Sequence, residues 1–246
     1  MMETVHPSGF EPMLASTSRR LDGDGWAFEP KLDGWRAIVH VLDHGVAVYS
    51  RPGREITESV PQLSALTKIV PAGTVLDGEL VAGSGRSSTF YQLSPTLGRR
   101  STTVTFAAFD LLAVDGCSLV WRSYEERRRL LGDVLRPAPG WCVVPAWTHV
   151  EVSDLLAACE LEGVEGLVAK RVRSRYRPGR RSPDWVKRKC DGWYRDHAPR
   201  RQPGGWATAP EPALAGRRGP DAAGVGSNEE GHPSGPAAGA STSTGR

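Results

Sequence analysis

No stretch of this 246-residue chain approaches the ~20 consecutive apolar residues that a membrane-spanning helix needs. The opening Met1-Met2-Glu3-Thr4-Val5-His6-Pro7 has no apolar core of the kind a secretory leader carries. The expected partners therefore include no membrane, and the expected location is the cytoplasm. Cysteine is scarce: Cys117, Cys142, Cys159 and Cys190 stand far apart and form no C-x-x-C pair. That excludes a disulfide-stapled scaffold and a zinc knuckle, and leaves reduced packing cysteines. The histidines His6, His40, His44, His149, His197 and His232 share no ligand spacing, and none is assigned to catalysis. Gly83-Ser84-Gly85-Arg86-Ser87-Ser88 lacks the lysine of a P-loop and follows a strand as a hairpin loop would. No segment repeats.

What is present is a polar chain of mixed charge. Hydrophobic residues make up 39% and charged residues 24%, as in ordinary globular proteins. The length suits one large domain or two small ones with a substantial core. A net charge of +3 is too small to imply a nucleic-acid partner by itself. Its distribution says more, because Arg171, Arg173, Arg175, Arg177, Arg180, Arg181, Lys187, Arg188 and Lys189 crowd into one segment.

Residues 1–25, with Pro7, Pro12, Gly23 and Gly25, read as a wrapping segment rather than an element. Alternation is clear after the Lys31 turn: Trp35, Ala37, Val39 and Val41 face one way, and Arg36, Ile38, His40 and Leu42 the other. Asp43-His44-Gly45 turns the chain into residues 46–49, completing a hairpin. Residues 61–68 are expected to form a short helix with Leu63 and Leu66 inward, and 74–81 and 104–112 two further strands. Ser123 with Glu126 makes a capping box before a helix carrying Leu130, Leu131, Val134 and Leu135. Ser153 is expected to cap a second helix with Leu155, Leu156 and Cys159, and 166–169 and 185–189 to be the last strands. Strands and helices mixed without strict alternation predict an α+β domain of mainly antiparallel sheets flanked by helices.

From about Asp196 the composition turns to Gly, Pro, Ala, Ser and Arg with no apolar periodicity. Such a segment buries too little apolar surface to offset its ordering entropy. The expectation is a folded domain over residues 1–195 and a disordered, low-complexity tail over 196–246.

The chemically densest stretch is Lys31-Leu32-Asp33-Gly34-Trp35-Arg36. Alone, it describes a charged turn opening a strand. It is followed in order by Ser50-Arg51-Pro52-Gly53, Asp77-Gly78-Glu79, Phe109-Asp110, Glu165-Gly166 and Trp185-Val186-Lys187-Arg188-Lys189. Together these segments resemble the lysine nucleotidyltransferase superfamily, and most closely its ATP-dependent DNA ligases. The spacing Glu29-Pro30-Lys31 and the block from Tyr176 to Trp185 favour the DNA ligases of bacterial repair.

The resemblance implies the fold of a ligase adenylation domain and a reaction. A lysine attacks the α-phosphorus of ATP, pyrophosphate leaves, and AMP passes to the 5′-phosphate of nicked double-stranded DNA, in repair or recombination at the nucleoid. A lysine attacks only as a free amine, so nearby cations and a divalent metal, Mg²⁺ or Mn²⁺, have to favour its neutral form. By resemblance Lys31 becomes the lysyl-AMP, with Arg36, Lys187 and Lys189 as candidate neighbours. Phe109 stacks on adenine, Glu29 meets its edge, and Arg36 and Glu79 reach the ribose. Arg51 meets the nucleotide and the phosphate at the nick. Lys187 and Lys189, alternate residues of one strand, grip the α-phosphate while Arg188 points away. Glu165, together with Glu79, helps place the metal. Phe106, by contrast, reads as core.

The family pattern continues into an OB-fold domain that orients pyrophosphate and closes over nucleic acid. Residues 196–246 are too few and too polar for such a barrel, which puts complete nick sealing by this chain alone in question. A separate OB-fold or repair protein is the implied partner. Three alternatives stay open: an RNA ligase, a capping-type guanylyltransferase, and a descendant that binds nucleotide or DNA without turnover.

Overall fold

The alternating segment after Trp35 becomes the spine of the larger of two sheets. The structure, a computed structural model, describes residues 9–17, 21, 24–82 and 104–190. Its strands begin with β1 (Leu14–Thr17), β2 (Trp26–Pro30), β3 (Trp35–Leu42), β4 (Gly45–Ser50) and β5 (Thr74–Ala82). They continue with β6 (Val104–Val114), β7 (Cys117–Ser118), β8 (Trp141–Val143), β9 (Gly166–Arg171) and β10 (Arg181–Lys189). Two α-helices flank them, α1 (Tyr124–Val134) and α2 (Val152–Leu161).

The large sheet runs β4-β3-β5-β6-β7, with β8 added parallel to β6; its other pairings are antiparallel. The small sheet runs β1-β10-β9-β2 and is antiparallel apart from the β1–β10 edge. The expected α+β fold with mainly antiparallel sheets is therefore the observed one. Period-two alternation sorts the side chains. Ala37, Val39 and Val41 join Leu63, Leu66, Phe106 and Leu131 in a core on one face of the large sheet. Ile38 goes to the other face, into a second core with Met13, Phe109, Tyr176 and Trp185 that lies between the two sheets. Strand β6 is buried on both faces, which is why it reads as a nearly unbroken apolar run. Helix α2 covers the far face of the small sheet through Val152, Leu155 and Cys159.

Three local expectations need correction. Leu14–Thr17 is a strand, not part of a structureless wrap; its partner β10 lies more than 160 residues away and a register shift at Ala15/Ser16 interrupts the pairing, so no local pattern announces it. Strand β10 begins at Arg181 and runs through Pro183, which falls at the Ala15/Ser16 register shift, before the pairing with β9 starts at Trp185, so the ladder does not need its missing N–H. The short helix expected over Pro61–Lys68 is present, of 3-10 type, and its three-residue turn places Leu63 and Leu66 on one face, both fully buried. Helix α2 is capped at Glu151 without a side-chain bond, and Ser153 lies inside it. Three residues after Ser153 stands Leu156, so no acid is there to return a capping-box bond. Ser123 does form the full box with Glu126. The glycine-rich 83–88 segment and the 196–246 tail lie outside the described residues. All four cysteines are free thiols. Among the described residues, no helix is long and apolar enough to cross a membrane.

Candidate active site

A cavity of about 260 Å³ opens between the two sheets, and the sequence segments named above converge on it. The small sheet and its loop contribute Glu29, Lys31, Lys187 and Trp185; the large sheet contributes Arg36, Glu79 and Phe109, with Arg51 at the edge. Of the nine residues expected in the site, only Glu165 and Lys189 do not line this cavity, and both connect to it through ion pairs.

Lys31 follows β2 directly, and its backbone N–H donates to Gly166 O at 2.7 Å, which fixes the loop against β9. Its ammonium donates to Glu165 Oε2, while Glu165 Oε1 pairs with Lys189 Nζ at 2.5 Å. One buried carboxylate thus holds two lysines from opposite ends of the sequence. Gly166 makes this possible. Its φ is +149°, and a Cβ there would lie 2.1 Å from Arg188 O, so a side chain would force β9 away from β10. Lys187 sits beside this cluster. Partial burial, then the charges of Lys31, Arg181 and Lys189, push its ammonium below the ordinary lysine value. The ring of cations is a ready site for phosphate groups.

Arg36 is not free to act as a bare cation near Lys31. Its guanidinium grips Asp77 with two bonds, Nε–Oδ1 at 2.5 Å and Nη2–Oδ2 at 2.6 Å. Burial opposes the charge on Arg36, but the Asp77 carboxylate outweighs it and holds the group protonated. Asp77 Oδ2 also accepts from the Tyr176 hydroxyl at 2.6 Å, and that hydroxyl oxygen accepts from Met13 N at 2.8 Å. The network welds β1, β3, β5 and the loop before β10 together beneath the cavity. Arg36 Cζ lies 4.5 Å from the Phe109 ring centre. Phe109 itself is the extra residue at a register shift: Asp77 faces Asp110 while Gly78 faces Ala108. Such a bulge re-aims a side chain, here toward the inter-sheet core and the cavity. Phe106, three residues earlier, is fully buried on the opposite face.

Glu79 lines the cavity with no hydrogen bond or ion pair among the described residues. Burial raises its carboxyl to about 7; Arg36 and Lys31 oppose the rise, and Asp77 and Asp33 add to it. Glu29 is different. It is 2% exposed and fully partnered, accepting from Tyr124 Oη at 2.6 Å and pairing with Lys170 Nζ at 2.7 Å.

Sequence reasoning missed Asp77, Tyr124, Lys170 and Tyr176. Lys170 carried a signal, since it alternates with Val168 on β9 and both line the cavity. Trp185 alternates with Lys187 and Lys189 in the same way. Tyr124 carried none, and Tyr176 only opened a block read for the family; their carboxylate partners are 95 and 99 residues away.

A family model described as the ATP dependent DNA ligase domain matches residues 12–189. The chain belongs to the ATP-dependent DNA ligase family. The multifunctional non-homologous end joining DNA repair protein LigD of Mycobacterium tuberculosis is 41% identical over 182 residues, covering 72% of this chain and 24% of that protein. The chain thus spans about a quarter of the length of such relatives. Among solved structures, the ligase domain of M. tuberculosis LigD superimposes with a TM-score of 0.64 at 38% identity, over 74% of this chain and 61% of that one. A mycobacterial DNA ligase D complexed with ATP and MES gives 0.62 at 38% identity, over 74% and 60%. The expected nucleotidyltransferase fold is therefore the fold of this family member.

Proposed function

We propose that the chain is the adenylation domain of a DNA ligase, over residues 1–195, and that Lys31 is its nucleophile. The observation that carries the reading is the position of Lys31. It lies at the wall of the cavity between the two sheets, held by a carboxylate and ringed by Lys187, Lys189 and Arg181. To react, Lys31 leaves its pair with Glu165 and loses a proton. The Nζ lone pair then forms a bond to the α-phosphorus of ATP as the bond to the bridging oxygen breaks, and pyrophosphate departs. Lys187 and Lys189 offset charge on the phosphate oxygens as it builds. Phe109 supports the base, Glu29 meets its edge, and Arg36 and Glu79 reach the ribose. Arg51 contacts nucleotide or nick phosphate.

The donor set also fits a divalent cation such as Mg²⁺ or Mn²⁺. Among the described residues Glu79 has no hydrogen-bond or ion-pair partner and lines the cavity, whereas Glu165 is already committed to two ammonium groups. No cluster of three or more His, Cys, Asp or Glu ligands exists among the described residues, so phosphate oxygens and water would complete the shell, as Mg²⁺ prefers. When bound, such an ion supplies charge neutralisation at the phosphates.

In the second step the AMP passes from Lys31 to the 5′-phosphate of a nicked duplex, restoring the amine. The relatives named for end joining support a role in repair or recombination. The test of the assignment is mass spectrometry after incubation with ATP and Mg²⁺. Addition of one AMP, mapped to the peptide that contains Lys31, is the expected result; no adduct, or an adduct on another residue, contradicts it.

A further inference from the structure

We propose that Tyr124 and Lys170 are positioning residues that set base choice, by holding the Glu29 carboxylate in one orientation so that its free lone pairs meet the edge of the base. The proposal rests on the adenylyltransferase reading of the cavity and deepens it. Glu29 lines the cavity although it is almost fully buried. Each of its oxygens is already held, Oε1 by the Tyr124 hydroxyl at 2.6 Å and Oε2 by Lys170 Nζ at 2.7 Å.

Neither donor is free to swing away. Lys170 Nζ lies 4.4 Å from the Phe109 ring centre, 4.2 Å from Trp185 and 5.1 Å from Tyr124, and it donates to Phe109 O at 3.4 Å. Tyr124 is 2% exposed, opens helix α1 directly after the capping box, and its backbone N–H donates to Ser174 O at 2.7 Å. A carboxylate only accepts, and with both oxygens pinned by donors this one also cannot rotate, so its remaining lone pairs keep a single direction. An amino group on a base edge, such as N6 of adenine, donates to such a surface. The O6 carbonyl of guanine would oppose lone pair to lone pair at the same place. A buried acceptor facing another acceptor leaves a hydrogen bond unmade in a low-dielectric site.

The experiment compares wild type and Tyr124→Phe for labelling by α-labelled ATP and GTP, and for the ratio of the Kd values of the two nucleotides. Tyr124→Phe keeps the ring and removes only the hydroxyl. The ATP-to-GTP ratio should fall by about tenfold or more, the equivalent of one charge-assisted hydrogen bond. A merely structural role would slow both labels together, and a ratio within about twofold of wild type overturns the proposal. Should Tyr124→Phe fail to fold, Glu29→Gln carries the test, since its amide brings a donor to the edge. Undiminished discrimination by Glu29→Gln overturns the proposal equally. Wild type that binds neither nucleotide refutes the site reading and the inference together. Wild type that prefers ATP in binding but takes no label refutes only the nucleophile assignment, and the Kd ratio still decides base choice.

Discussion

At the scale of single residues, the site is a set of carboxylates given different tasks by their surroundings. Glu165 holds two lysines, Glu29 and Asp77 are each gripped by two donors, and Glu79 is left without a partner among the described residues. The last has a measurable consequence. Its carboxyl is raised from an ordinary 4.5 to about 7, chiefly by burial. The folded state therefore keeps a proton that the unfolded chain releases between those values, so stability falls as pH rises through that window. Glu79→Gln should make the nucleotide-free protein more stable than wild type above pH 7, by about 1–3 kcal/mol. The advantage should shrink toward pH 4.5. Urea unfolding at both ends of the range checks this, and a difference that does not change with pH contradicts it. Which residues belong to the site was largely legible, because Lys31, Glu79, Phe109 and Lys187 sit in short motifs. What each carboxylate does was not, since the deciding partners, Tyr124, Lys170 and Tyr176, are distant from them in sequence, and no local pattern pairs them.

At the scale of elements, the motifs are places where strands approach too closely for side chains. Gly34 and Gly166 are the plain cases, with Leu80 O and Arg188 O standing 2.3 and 2.1 Å from where a Cβ would lie. Gly166→Ala should part β9 from β10, break the Glu165–Lys189 ion pair and destabilise the fold by about 2 kcal/mol or more. Adenylation should slow with it, and a urea melt alongside a labelling time course reads both; unchanged stability contradicts the packing argument. Ser123→Ala should cost about 1 kcal/mol through the lost capping box of α1. The strands β3 to β6 and helix α1 were legible because alternation and capping are local. Strand β1 was not, because four residues on a parallel edge carry no usable period. The opposite fates of Phe106 and Phe109 were legible through the family resemblance, which set Phe109 at the nucleotide and left Phe106 to the core.

At the scale of the whole molecule, an exposed basic surface segment leads into β10, whose Arg181 lines the cavity. Arg173, Arg175, Arg177 and Arg180 are exposed there. If that surface meets a nicked duplex, binding should weaken steeply with salt. Replacing Arg175 and Arg180 by Ala should then lower the slope of log K against log salt by about 0.9 for each phosphate left without its arginine. Fluorescence anisotropy on a nicked duplex at several salt concentrations measures it, and an unchanged slope contradicts it. Fusion of a ligase OB domain after Lys189 should raise nick sealing. All of this depends on one covalent step. The most direct measurement is incubation of wild type and Lys31→Ala with α-labelled ATP and Mg²⁺, followed by a denaturing gel and then by treatment with pyrophosphate. The account predicts a labelled wild-type band that pyrophosphate strips and no band from Lys31→Ala. An unlabelled wild type, or a Lys31→Ala variant that still carries label, would contradict it.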